Sequence, residues 1–211
     1  MMLFTFFALM LLLVAECLYI RKKTLIPVVF CGAFLAALVC AFRTFFIFAH
    51  RVVPYSFAEN FGFFFVRQIL LPILILYGLF FLFSRDSIEF KVEMFLPLMT
   101  AFYMLYLPYT IVSSAEGLYS AFGLFVKPVM FIAMLLQLTV CVNGIKRSVE
   151  NKKIVFTVLY ALCLIVYLII PAMVEAMYMV NTNLAVALFS ALLYCVLPGL
   201  FVTLKVMRIC A

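Results

Sequence analysis

The sequence predicts an all-α, polytopic membrane helix bundle of about seven transmembrane helices, N-terminus outside and C-terminus cytoplasmic. Three observations carry that expectation. Hydrophobic residues fill 70% of the 211 positions and charged residues only 11%, against about half and about a quarter in soluble domains. The apolar residues gather in runs of about 20, the length a helix needs to cross a hydrocarbon core. The lysines and arginines are unevenly shared between alternate connections, as expected when cytoplasmic loops collect positive charge.

In chain order, spans are expected at 2–20, 24–48, 61–83, 94–114, 118–143, 154–174 and 184–204. The first lacks the basic start and A-x-A cleavage site of a secretory signal. In its LVAEC sequence, 13–17, Glu16 stands where a lipoprotein signal needs a small residue, so the segment is read as a retained helix. Glu16 is expected to lean toward Arg21, Lys22 and Lys23. The third span holds FFFVRQILLP, 63–72, with Arg67 among apolar neighbours. DSIEFKVE, 86–93, alternates polar and apolar residues in the manner of a strand, yet so short a connector fits an interfacial turn or an extension of helix four better. Only SSAEG, 113–117, separates helices four and five, which makes them a tight hairpin. No connection is long enough for a second domain and no repeat is visible. The expectation is a single transmembrane domain, 1–211.

Orientation follows from counting cations. Arg21, Lys22, Lys23, Arg85, Lys91, Lys146, Arg147, Lys152, Lys153, Lys205 and Arg208 fall on one side, eleven in all, and the other side has Arg51 alone, beside His50. The larger group is expected to be cytoplasmic. The net charge of +7 therefore reports membrane orientation, and no nucleic-acid partner is expected.

Arg43, Arg67 and Lys127 remain inside spans. At 1.5 Å per residue, Arg67 lies roughly 9 Å and Lys127 about 13 Å below the outer boundary, with Arg43 near the outer end of helix two. An ion in hydrocarbon costs about 2.5–3.5 kcal/mol on insertion scales. Arg43 can reach the interface along its own stem. Arg67 and Lys127 need a carboxylate or a wet cavity, and Glu59, Glu116 and Glu175 sit at or near outer helix ends to serve. On helix four, Tyr103, Tyr106, Thr110, Ser113 and Gly117 share a face, and the tyrosines can turn hydroxyls toward a polar centre. On helix five Lys127, Met134, Gln137 and Cys141 form a looser stripe, read as helix-packing core. Pro72, Pro108, Pro128, Pro171 and Pro198 punctuate the spans, and broken helices often flank transporter sites.

Much chemistry is missing. One histidine rules out HExxH and multi-histidine metal or haem sites. Neither a GxSxG elbow nor a phosphate-binding glycine loop occurs. The seven cysteines show no CxxC spacing and read as small apolar residues in helices. No cofactor or metal is expected, and active transport driven by ATP would need a separate energising subunit.

The leading expectation is a small multi-pass transporter of the cell membrane, or the membrane-embedded substrate-binding subunit of one, for an anionic or zwitterionic small molecule or lipid. Arg67, Lys127, Arg43, Glu116, Tyr103, Tyr106, Glu59 and Glu175 are its candidate binding residues, with membrane lipids as further partners. The alternative is a non-catalytic assembly or sensory subunit that pairs with another membrane protein. A membrane enzyme acting on lipid is the third reading; nothing marks an acid, base or nucleophile for it.

Overall fold

The computed structural model describes residues 2–20, 24–46, 56–83, 87–113, 122–180 and 185–196, all-α with no strand among them. Seven helices follow in chain order: α1, Met2–Ile20; α2, Leu25–Phe46; α3, residues 57–83; α4, Ile88–Ser113; α5, Phe122–Glu150; α6, Ile154–Val180; and α7, Ala185–Val196. Within α2 to α6, five stretches are long and apolar enough to cross a membrane, while Phe4–Leu18 and Ala185–Val196 are shorter apolar helices. The chain is a multi-pass membrane protein.

Helix ends extend past the apolar runs because backbone hydrogen bonding stops at caps, whereas hydropathy reads only the lipid boundary. Ser56 accepts from the Glu59 amide and starts α3 at Phe57, four residues before its apolar run. Ser87 accepts from the Phe90 amide at 3.3 Å, so the described part of the alternating segment, from Ile88 on, forms the opening turns of α4. Helix α5 runs to Glu150 and closes with Lys153 N–H on the Ser148 carbonyl and Lys152 N–H on the Val149 carbonyl. That is a Schellman cap, and it places Lys152 at φ 55°, where glycine is usual.

Two helices contain wide π turns. In α3 these are Phe65–Leu70 and Gly78–Phe83; α5 opens with one at Phe122–Val126. Two of the three end just before a proline, Pro72 and Pro128. A proline has no N–H and its ring clashes with the preceding turn, and a wider turn relieves the clash.

The helices fall into two compact units. In the first, Met1–Val52 with Val66–Pro128, α4 is the centre, packed against α2 and α1. Gly32 lets α2 approach closely: a Cβ there would stand 2.5 Å from the Leu98 carbonyl oxygen. Phe4 of α1 meets Phe125 with ring centroids 4.8 Å apart. In the second unit, Val53–Phe65 with Val129–Ala211, the start of α3 packs on α6, and the Tyr160 ring covers Gly144 at 2.6 Å from where a Cβ would be.

Long exposed faces of α1, α2 and α6 are apolar, as lipid contact demands. Leu11, Phe30, Phe34 and Phe45 are exposed on α1 and α2, and Ile154, Val155, Leu159 and Leu162 on α6. Arg21–Lys23, His50, Arg51, Arg85, residues 114–117 with Glu116, and everything from 197 onward with Pro198, Lys205 and Arg208 lie outside the described residues.

Candidate functional site

Pro72 organises the polar centre of the first unit. Lacking an N–H, it cannot close onto the Gln68 carbonyl four residues back, nor onto Arg67 five back in the π register. Two tyrosines one turn apart on α4 supply the missing donors. Tyr103 Oη donates to the Gln68 carbonyl at 3.0 Å and Tyr106 Oη to the Arg67 carbonyl at 2.8 Å. Inside a bilayer an orphan carbonyl costs several kcal/mol, so these hydroxyls hold the broken part of α3 against α4.

The second unit repeats the device. Pro171 frees the Tyr167 carbonyl, and Tyr194 Oη of α7 donates to it at 2.9 Å. The Tyr194 carbonyl in turn accepts from Gln137 Nε2 at 3.4 Å.

Arg43 joins the first of these clusters from α2. Its Nη1 donates to Tyr106 Oη at 3.3 Å, so Tyr106 passes a polarised hydrogen bond from Arg43 to the Arg67 carbonyl. The guanidinium lies 6.0 Å from the Tyr106 ring centroid and 5.6 Å from that of Tyr109. Such cation–π contacts are worth about 0.5–2 kcal/mol. Thr44 gives its one proton to the Cys40 carbonyl at 2.8 Å, so at its 2.8 Å contact with Tyr109 the tyrosine is the donor. This pins Tyr109 under Arg43. Arg67, half-buried, is close enough to Arg43 for their charges to repel, with Tyr106 and Tyr109 in reach of both.

Arg43 is only 8% exposed, and among the described residues no carboxylate pairs with it and one of its five N–H donors is used. The Gln68 side-chain oxygen is likewise buried without a partner among the described residues. Two neighbouring cations, further Arg43 donors without partners among the described residues, and flanking tyrosine rings make a centre suited to a negative group.

Comparison with protein-family models, curated proteins and solved structures finds no match.

Of the residues singled out in the sequence, Arg43, Arg67 and Tyr106 come together, with Tyr103 adjoining through Gln68. Lys127 is fully buried where the π turn of α5 passes into regular helix, next to Pro128. Glu175 is buried in the second half of α6. Glu59 is exposed in the first turn of α3, where a negative charge favours the helix N-terminus. Glu116 lies outside the described residues.

Tyr109 and Thr44 were not singled out. Their signals were present, since Tyr109 continues the three-residue spacing of Tyr103 and Tyr106 and Thr44 adjoins Arg43. The cluster Arg21–Lys23 toward which Glu16 is expected to lean is outside the described residues, and Glu16 has a partner the sequence did not indicate. Its carboxyl is buried and hydrogen-bonded to Thr100 of α4 at 2.8 Å.

Proposed function

We propose that this chain is a small membrane transporter, or the substrate-binding membrane subunit of one, that holds the anionic group of its cargo at Arg43 and Arg67. One observation carries the reading: a buried arginine whose partners among the described residues are two tyrosines, with four of its N–H donors unused and a second arginine repelling it. Two like charges held close together at membrane depth are costly. A carboxylate or phosphate between the guanidiniums offsets the repulsion and can bind Arg43 bidentately. The aromatic walls accept the apolar part of the cargo. A lipid headgroup and a small metabolite offer the same chemistry.

Native mass spectrometry of the protein extracted in its own lipids tests this. The wild type should carry a discrete anionic adduct whose mass separates lipid from metabolite. Arg43→Gln and Arg67→Gln should each reduce its occupancy at least tenfold, while thermal unfolding shifts little. An adduct that survives both substitutions overturns the site. Loss of adduct and fold together points to a packing role, and a stoichiometric second protein in place of the adduct points to an assembly subunit.

A further inference from the structure

Glu16 lies outside the anion-binding cluster and has chemistry of its own. It is buried between α1 and α4, 7% exposed. Its Oε1 is 2.8 Å from Thr100 Oγ1, and its Oε2 is buried with no partner among the described residues. Thr100 Oγ1 is also 3.0 Å from the Leu96 carbonyl one turn back. A hydroxyl has one proton and cannot fully serve both acceptors. The conflict disappears when the carboxyl is protonated: Thr100 donates to Leu96, and Glu16 donates to the Thr100 oxygen. No cation is present to favour the charged form through an ion pair among the described residues.

The surroundings are sparse in charge. On α1 the nearest titratable group is Cys17. On α4, Lys91 and Glu93 lie two turns or more before Thr100, and Tyr103 follows it by three residues with its hydroxyl committed to Gln68. The Phe122–Val126 turn, which also packs on α1, has no titratable side chain. Arg21–Lys23 lie outside the described residues.

We propose that Glu16 is a proton-binding site, a buried carboxyl that takes up one proton from water and returns it, switching the α1–α4 contact between a neutral and a charged state. With the proton bound, the seam is a closed chain from carboxyl to hydroxyl to carbonyl. Without it, a negative charge sits in an apolar seam where, among the described residues, one shared proton faces it, and burial of such a charge is strongly unfavourable. The site therefore gives α1 two arrangements selected by proton concentration. It stands independently of any anion held at Arg43.

Infrared difference spectroscopy of the full chain in lipid nanodiscs decides the matter. The wild type should show a protonated-carboxyl C=O band at mildly acidic pH that disappears as the pH rises, with carboxylate bands growing in its place. Glu16→Gln, whose amide can donate to Thr100 in the same way, should remove the band. If that variant fails to fold, Thr100→Val should shift the band upward in frequency by removing its acceptor. No titrating band assignable to Glu16 under either substitution, or a Glu16 band constant across the range, overturns the proposal.

Discussion

Tyr103 and Tyr106 each do for α3 what a backbone amide does elsewhere, and the absence of that amide at Pro72 is the reason. The argument is testable by coupling. Tyr103→Phe should lower stability by about 1 kcal/mol, in the range of interhelical hydrogen bonds in membranes. In a Pro72→Ala background the new N–H can close onto Gln68, and the same substitution should lose most of its effect. Reversible unfolding in mixed micelles gives both values; strict additivity would show that the hydroxyl is not replacing the lost donor. Tyr194→Phe with Pro171→Ala forms a parallel pair. Part of this was legible in the sequence: the prolines and the tyrosine stripe were both visible. Their relation was not, because Pro72 and Tyr103 are joined only by packing of α3 on α4, and a helix stripe does not say which neighbour it faces.

At the scale of elements, close approach and caps set the tolerance to change. Gly32→Ala would drive a Cβ into the Leu98 carbonyl of α4, and overpacking of this kind costs about 1–3 kcal/mol. Gly144→Ala meets the Tyr160 ring instead, which can swing aside, so its effect should be the smaller of the two. Lys152→Gly should stabilise by about 1 kcal/mol, since glycine takes the left-handed cap conformation without strain. The same unfolding assay ranks all three. The π turns also explain why helix periodicity misreads α3. Val66 and Leu71 both face outward although they are five residues apart, while Ile69 between them is buried. One extra residue in a turn advances the phase by about 100°, which no straight-helix template anticipates. Existence and order of the helices were readable from apolar runs alone, and their ends were not, because Ser56, Ser87 and the Lys152 cap lie outside those runs.

At the scale of the whole molecule, the cation count predicts which face meets the cytoplasm. Single cysteines at Glu59→Cys and Arg147→Cys, in a background with the native cysteines replaced, report it through a membrane-impermeant maleimide. Position 59 should react in intact cells and position 147 only after permeabilisation; the reverse result would invert the topology. Charge at membrane depth was the clearest functional signal in the sequence, and for Arg43 and Arg67 the fold brings the two together. The Glu16–Thr100 contact was not legible, because the two residues are 84 positions apart and only the packing of α1 on α4 joins them. A last consequence concerns the thickness of the host bilayer. Helix α6 spans 27 residues, apolar for nearly all of its length and exposed along its first half, so it measures about 40 Å end to end. A hydrocarbon core is about 30 Å thick. The excess must be absorbed by tilt, by stretched lipid or by a thicker membrane, and so the composition of the surrounding lipid becomes a variable that acts on this protein through the length of a single helix.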